Sequence, residues 1–376
     1  MSGIYIHIPF CRRKCHYCNF FSLASLKYKE RFLKTLNDEI FIRKSYLDPG
    51  TVESVYLGGG TPSLLQIPEI EDILATLRKN FTLSQNCEIT LEANPDDLDI
   101  AILHGYSSIG INRLSIGVQS FFDDDLEYLN RIHSGKRAEE SVMQAKEAGF
   151  SNISLDLIYG IPTLTLEKWQ KNLDKAFLLN VPHISAYSLT VEPKTTLDLL
   201  IQKKKLAGPD EDHVVEHFRI LQRRMEKQGF EHYEISNFCK PGSYSRHNSM
   251  YWKGIPYLGL GPSAHSYNGT SRQWNLSNIV HYIDNINRNE LFYESEVLTP
   301  VQKYNEYVMV SLRTKWGCDT RKIRDEFGDE IVVWFTLQAA RYINSGEITE
   351  KEGIYTLSNE GKLFADGIAA DLFLES

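Results

Sequence analysis

The chain has 376 residues, a length typical of two or three domains. Apolar residues make up 42% and charged residues 24%, which excludes a disordered chain, a collagen-like fibre and a long coiled coil. The net charge of −8 argues against a basic surface for nucleic acid or acidic lipid, so we expect no nucleic-acid partner.

Targeting and membrane signals are missing from the sequence. Its apolar runs are all shorter than the roughly 18 residues that a membrane span requires. The first ten residues carry neither the basic region nor the apolar stretch of a secretory signal. We therefore expect a cytoplasmic protein, with at most a peripheral association with a membrane.

Six β-rich runs in the first half of the chain alternate with segments that carry apolar residues at helical spacing. This alternation predicts right-handed βαβ units and a parallel sheet in an α/β fold. Periodicity alone does not distinguish an open sheet from one curled into a barrel. The predicted strands are 4–8, 52–57, 88–92, 113–117, 153–158 and 183–189.

The second half of the chain has a different pattern. After a helix predicted at 211–228, residues 238–277 are rich in Gly, Pro, Ser, Asn, Tyr and Trp and show little periodicity. Helical patterns return after Thr299-Pro300 (to about 313, 319–327 and 330–343), followed by a hairpin-like piece at 346–357 and a last helix capped near Ser358. We therefore predict three regions: a core over 1–235, an irregular aromatic-rich segment covering it over 236–298, and a mainly helical, winged-helix-like domain over 299–376.

Three of the six cysteines fall within eight residues, at Cys11, Cys15 and Cys18, directly after the first predicted strand. In a chain without a secretory signal, such a cluster indicates a metal centre rather than disulfides. Iron–sulfur clusters usually take four cysteines, so three would leave one iron open to an exchangeable ligand. The alternative is a structural zinc site with His7 or His16 as fourth ligand. We assign no function to the three remaining cysteines, at positions 87, 239 and 318.

The Cys-x3-Cys-x2-Cys spacing after a first strand resembles the signature of the radical S-adenosylmethionine (SAM) superfamily. The resemblance implies a [4Fe–4S] cluster held by the three cysteines, SAM chelating the fourth iron, and a partial (β/α)6 barrel. It also implies an electron donor protein, because an electron must reach SAM to generate a 5′-deoxyadenosyl radical. The segment Gly58-Gly59-Gly60-Thr61-Pro62 is similar to the superfamily's glycine loop, which contacts the methionyl end of SAM.

Five further segments narrow the resemblance to the oxygen-independent coproporphyrinogen III oxidase family, which includes haem chaperones. They are residues 5–11 (Tyr-Ile-His-Ile-Pro-Phe-Cys), 91–95 (Leu-Glu-Ala-Asn-Pro), 113–121 (Arg-Leu-Ser-Ile-Gly-Val-Gln-Ser-Phe), 129–131 (Leu-Asn-Arg) and 156–162 (Asp-Leu-Ile-Tyr-Gly-Ile-Pro). Carried over motif by motif, the resemblance implies seven SAM-binding residues: Tyr5, Gly60, Thr61, Glu92, Gln119, Arg131 and Asp156. Their carboxylates can accept hydrogen bonds from ribose hydroxyls or the SAM ammonium, and the guanidinium can pair with a carboxylate.

Two departures separate the chain from the oxidase branch. Phe20 stands where the oxidases carry a further cysteine, and only ten residues precede Cys11, where the oxidases have a long extension. Residues 246–252 (Arg-His-Asn-Ser-Met-Tyr-Trp) resemble instead the His-Asn-x-x-Tyr-Trp motif of the haem-chaperone branch. The resemblance implies a protein of porphyrin metabolism that binds haem, with His247 as candidate iron ligand and Tyr251 and Trp252 beside the ring.

A haem chaperone passes its cargo on, so the resemblance also implies a haem-accepting partner, which we expect to be a respiratory protein. The alternative function is oxidative decarboxylation of coproporphyrinogen III on the same SAM scaffold. If His247 is not the ligand, His265 is the next candidate.

Overall fold

A mixed sheet of twelve strands in the described residues forms the centre of the fold, and six of its strands run parallel in chain order. The computed structural model describes residues 1–47 and 50–375. Asp48 and Pro49, in the predicted core region, and Ser376, in the predicted C-terminal region, lie outside the described residues. The six predicted strands and their parallel pairing are confirmed. They are β1 (Ser2–Ile8), β2 (Val52–Gly59), β3 (Leu83–Ala93), β4 (Arg113–Gln119), β5 (Ile153–Tyr159) and β6 (His183–Ser188).

Helices connect these strands, and short polar side chains fix where several of them begin. The Thr165 hydroxyl accepts a hydrogen bond from the Lys168 amide at 3.2 Å, and the Asp210 carboxylate accepts one from the His213 amide at 2.9 Å. The helices up to residue 227 are α1 (Lys29–Ile42), α2 (Ile67–Asn80), α3 (Ile100–Ser108), α4 (Asp123–Tyr128), α5 (Gly135–Glu147), α6 (Leu166–Leu178), α7 (Thr196–Gln202) and α8 (Glu211–Lys227), with 3-10 turns at Pro62–Leu64 and Pro95–Asp97.

The parallel strands separate apolar from polar side chains by simple alternation. Ile4, Ile6 and Ile8 of β1 are fully buried in the core that also contains residues of α1 and α2. Because successive side chains of a strand point to opposite faces, the residues between them face the other side. Polar side chains from β2 to β6 line one common cavity there, so the sheet curves around it: Tyr56, Glu92, Ser115, Asp156 and Ser185.

The prediction of an irregular segment over 236–298 is wrong. This region contains short strands that extend the sheet, and β9 pairs with β1 in parallel. Strands of three to five residues are too short to show a periodic pattern, which explains the error. The elements from 231 to 297 are β7 (Glu231–Glu234), β8 (Asn237–Cys239), α9 (Arg246–Trp252), β9 (Tyr257–Leu260), β10 (His265–Tyr267), β11 (Ser271–Asn275), α10 (Ile279–Ile286) and β12 (Tyr293–Val297).

A buried carboxylate fastens this extension to the first helix of the core. Glu39 of α1 is 1% exposed. It accepts hydrogen bonds from the Gly261 amide, the Asn275 side-chain amide and the Tyr282 hydroxyl, each at 2.7 Å. One side chain therefore holds the β9–β10 turn, β11 and α10 against α1.

The C-terminal residues build a second hydrophobic core around Tyr304, Val308 and Phe335. The predicted helices and hairpin are present, and a small sheet in the order β13-β15-β14 forms the wing. The Ser358 hydroxyl accepts a hydrogen bond from the Gly361 amide at the start of a 3-10 turn (Gly361–Phe364), and so does not cap the last helix. The elements are α11 (Pro300–Leu312), β13 (Cys318–Asp319), α12 (Thr320–Phe327), α13 (Asp329–Asn344), β14 (Ile348–Lys351), β15 (Ile354–Leu357) and α14 (Ala365–Asp371).

None of the described helices is long and apolar enough to span a bilayer. Cys87, Cys239 and Cys318 are buried as free thiols, in keeping with a role as small apolar side chains of the core.

Candidate functional site

The three clustered cysteines face a cavity of about 470 Å³ at the carboxyl ends of the parallel strands. They lie on the loop after β1, and the loops after β2 and β3 close over the same space. In α/β folds this end of the strands is where ligands bind, because the connecting loops are free to carry function there. The fold thus places the cysteines at the edge where a cofactor site is expected.

Cys11, Cys15 and Cys18 are all partly exposed. Burial raises the pKa of the Cys18 thiol to about 11 and also raises the pKa of Cys11, so both are protonated at neutral pH and would release their protons on binding metal. Within residues 1–47 and 50–375, no three His, Cys, Asp or Glu side chains converge on a point where a single ion could sit. In an iron–sulfur cluster each iron takes its own thiolate, so the ligands of a cluster need not meet at a single ion.

The two histidines of the zinc alternative do not line the cavity that the three cysteines share. The His7 Nε2 donates to the Phe21 carbonyl at 2.8 Å, which leaves Nδ1 to accept from the Tyr5 hydroxyl at 3.1 Å. His16 donates from Nδ1 to the Tyr128 carbonyl at 3.0 Å. Neither joins the cysteines in a metal-binding group of the described residues.

Two of the predicted SAM-binding residues stand directly beside the thiols. The Thr61 hydroxyl donates to Cys11 Sγ and the Arg131 guanidinium to Cys15 Sγ, both at 3.5 Å. Arg131 also donates to Asn94 Oδ1 at 2.7 Å and to the Gly117 carbonyl at 2.8 Å. Both donors face sulfurs that must become thiolates to hold a cluster, and a hydrogen bond to a charged thiolate is stronger than one to a neutral thiol.

Gly60 is required because the glycine loop packs against the backbone of the cysteine loop. A Cβ at Gly60 would lie 2.7 Å from the Phe10 carbonyl oxygen, a distance too short for any Cβ atom. Gly59 has φ +104°, and a Cβ there would lie 2.5 Å from His7 Nδ1. The glycines thus allow two loops of the site to touch.

Two buried carboxyl groups lie deeper in the cavity. Glu92 accepts from the Tyr56 hydroxyl at 2.8 Å and from the Gly59 amide at 3.1 Å, and burial raises its pKa to about 7. Asp156 accepts from the Ser115 hydroxyl at 3.0 Å, and burial raises its pKa as well. Desolvated carboxyl groups with raised pKa values are typical of binding and catalytic sites, where a ligand replaces the lost water.

Gln119 and Tyr5 differ in their relation to the cavity. Gln119 lines it and has φ 65°, a left-handed conformation at an irregularity in the pairing of β4 with β5. Tyr5 does not line it; its ring lies behind, 6.1 Å from that of Tyr56. Six of the seven predicted SAM-binding residues therefore share one cavity with the cysteines.

Other residues of the cavity were not predicted from the sequence. The signal was available: they stand at alternate positions of the parallel strands or directly after a strand, on the face opposite the apolar residues. Six of the polar residues placed in this way are Tyr56, Asn94, Arg113, Ser115, Ser185 and Tyr187.

His247 lies on α9, outside this cavity, and is 2% exposed. Its Nδ1 is 2.8 Å from the Ser54 hydroxyl and its Nε2 is 2.8 Å from the Tyr251 hydroxyl. Burial lowers its pKa to about 3, so the imidazole is neutral at physiological pH. His265 is exposed on β10, with its ring stacked 6.2 Å from Trp274.

Comparison with known proteins shows the superfamily, the fold and the family of the chain. The family model of the radical SAM superfamily matches residues 5–176, which implies SAM and a [4Fe–4S] cluster. Among solved structures, coproporphyrinogen III oxidase (HemN) from Escherichia coli superposes with a TM-score of 0.85 at 22% identity, over 99% of this chain and 90% of that one. That similarity shows the fold.

Curated relatives match over nearly the full length of the chain. The heme chaperone HemW of Bacillus subtilis (strain 168) is 35% identical over 372 residues, 98% of both chains. HemW of Haemophilus influenzae is 33% identical over 381 residues, 99% of this chain and 97% of that one. The chain therefore belongs to the HemW heme chaperone family of the radical SAM superfamily.

Proposed function

We propose that this protein is a haem chaperone, which binds haem and transfers it to an acceptor protein. The same proposal assigns Cys11, Cys15 and Cys18 to a [4Fe–4S] cluster whose fourth iron is chelated by SAM. The observation that supports the cofactor half is the shared cavity, in which the three thiols meet six residues of the SAM-binding motifs. The haem half is supported by the names of the full-length relatives and by the motif at 246–252.

Phe20 favours the chaperone over the oxidase. Its side chain is 65% exposed, lines the cavity beside the cysteines, and offers no metal ligand. The acceptor is proposed to be a respiratory protein and the cluster to be reduced by an electron donor protein. Both partners, and a peripheral contact with the membrane, belong to the proposal.

The proposal is tested by anaerobic reconstitution of the cluster and optical titration with haem, with and without SAM. We expect a saturable Soret band and transfer of the haem to an apo-acceptor. Conversion of coproporphyrinogen III to protoporphyrinogen IX by the reconstituted protein would contradict the chaperone assignment, and failure to bind haem would remove it.

Glu92 gives a test of SAM binding. Adding SAM should change the electron paramagnetic resonance spectrum of the reduced cluster, and Glu92→Gln should weaken that change without loss of iron. Since the carboxyl group has a pKa of about 7, it is protonated below and ionised above this pH. An ionised carboxylate accepts more strongly from ribose hydroxyls or an ammonium, so SAM should bind more tightly at pH 8 than at pH 6.

The pH effect should vanish in Glu92→Gln, whose amide does not titrate. Asp72→Asn removes an exposed carboxylate of α2 and should leave SAM binding at every pH unchanged. An unchanged spectrum on adding SAM to the wild type would contradict the exchangeable iron.

His247 is proposed as the haem iron ligand. A neutral imidazole is the form that coordinates iron, but Nε2 must first give up its hydrogen bond to Tyr251, at a net cost of about 1 kcal/mol. His247→Ala should shift the Soret band or weaken haem binding while the cluster remains. Trp252→Ala should weaken the free energy of haem binding by about 0.5–1.5 kcal/mol if only aromatic packing is lost.

His265→Ala serves as the control and should leave the haem spectrum unchanged. If His247→Ala leaves the spectrum unchanged and His265→Ala alters it, the ligand is His265, and the chaperone proposal stands without His247.

A further inference from the structure

A second, larger cavity of about 820 Å³ lies between the sheet extension and the C-terminal helices. Its walls come from α9, β9, β10 and β11 on one side and from α11 and α12 on the other. It is separate from the cysteine cavity, since no residue lines both. Its volume lies within the range of about 300–1,000 Å³ that is usual for small-molecule sites.

Aromatic rings dominate the lining of this second cavity. Flat rings bind flat ligands by stacking and by edge contacts, and each such contact adds to simple burial. The seven aromatic side chains are Tyr251, Trp252, Tyr257, Tyr267, Tyr307, Trp316 and Phe327.

The charged side chains that line the second cavity favour a negatively charged ligand. Four cationic and two acidic side chains line it, an excess of two positive charges in a protein whose net charge is −8. Arg272 is paired with Glu296 at 2.7 Å and Glu306 at 2.6 Å, and Lys322 approaches Glu326 at 3.8 Å.

The other two cations, Lys253 and Lys303, form no ion pair within the described residues. Lys253 lies over the Trp316 ring at 4.5 Å. Two unpaired ammonium groups beside aromatic walls match a planar ligand that carries two carboxylates.

We propose that the second cavity holds the tetrapyrrole ring of the haem cargo, with its two propionates at Lys253 and Lys303. This inference rests on the proposed function and locates its ligand. None of the side chains that line the cavity in the described chain is His, Cys or Met. Stacking and charge therefore hold the ring in this cavity and act on the iron-free ring as well, while His247, which is hydrogen-bonded to Tyr251 of the cavity wall, would add an iron ligand for haem alone.

Tyr251 connects the second cavity to the cysteine cavity. Its hydroxyl is 2.8 Å from His247 Nε2, and the His247 ring stacks 5.0 Å from that of Tyr56. Tyr56 in turn donates to Glu92 at 2.8 Å. These contacts link the wall of the second cavity to Glu92 in the cysteine cavity, and His247 lies between the two cavities.

The test uses the full-length reconstituted protein with haem and with iron-free protoporphyrin IX, followed by fluorescence quenching and absorption. We expect wild type to bind both. Lys253→Glu combined with Lys303→Glu should weaken both affinities about tenfold or more, because each propionate then faces a like charge. Lys204→Glu combined with Lys205→Glu changes the net charge equally on an exposed loop and should leave both affinities unchanged.

A second variant, Val310→Trp, places a large side chain of α11 in the cavity and leaves the charge unchanged. It should block the binding of both ligands at every salt concentration. Unchanged affinities in the charge and filling variants, or binding of haem without binding of the iron-free ring, would overturn the assignment of this cavity. In either case the wild type still binds haem and the chaperone proposal survives. A wild type that binds no haem would instead contradict the proposed function itself.

Discussion

Cys15→Ala is expected to abolish the broad visible absorption of the reconstituted protein and to reduce its iron and sulfide to background. Cys15 is the middle ligand of the proposed cluster, and its thiol accepts from the fixed Arg131 guanidinium at 3.5 Å. Two remaining thiols on one loop would leave two irons of the cluster without a protein ligand. The measurement is iron and acid-labile sulfide per chain after anaerobic reconstitution.

Cys87→Ala provides the matched control, because that thiol is 6% exposed and lies outside the cavity. It should keep the full complement of iron and sulfide. A Cys15→Ala protein with the wild-type complement would contradict the assignment of the three cysteines.

Glu39→Ala is expected to have the largest effect on stability. The substitution leaves the Gly261 amide, the Asn275 amide and the Tyr282 hydroxyl buried without their acceptor. A buried donor left without its acceptor typically costs about 1–3 kcal/mol, so the loss of all three hydrogen bonds should cost at least about 3 kcal/mol. The free energy of unfolding, measured by chemical denaturation, should fall by that amount.

Asp38→Ala removes the same charge from the neighbouring, exposed position of α1. It should change the free energy of unfolding by no more than about 0.5 kcal/mol. Equal effects of the two substitutions would show that Glu39 acts through net charge and not through its three hydrogen bonds.

The sequence predicted the parallel strands well because each combines a β-rich run with a following helical pattern. The resemblance to the radical SAM superfamily implied that the cysteine loop, Gly60, Thr61 and Glu92 serve one site, and these residues line one cavity in the structure. The sequence did not predict β9 to β12, whose short strands and Gly-rich turns carry no periodic signal. Their positions depend on partners far away in the chain, such as Glu39 for Gly261.

Side-chain surroundings were equally hidden from the sequence. The His-Asn-x-x-Tyr-Trp motif predicts an accessible haem ligand, yet His247 is buried and has hydrogen-bond partners at both ring nitrogens. Ser54, one of these partners, is 193 residues away in the chain. Tyr5 illustrates the same point, because its ring lies 6.1 Å from that of Tyr56, yet of the two only Tyr56 lines the cavity.

The pairing of β1 with both β2 and β9 has a consequence for how the chain matures. Gly3 pairs with Tyr257, so one edge of the first strand stays open until β9 has left the ribosome. At about 5–20 residues per second, that wait is on the order of 10–50 s. During this time an apolar strand offers free backbone groups to any neighbouring chain, which makes it a site of aggregation. Truncation before Tyr257 should therefore yield insoluble chains, and slow, cool expression should favour the native pairing.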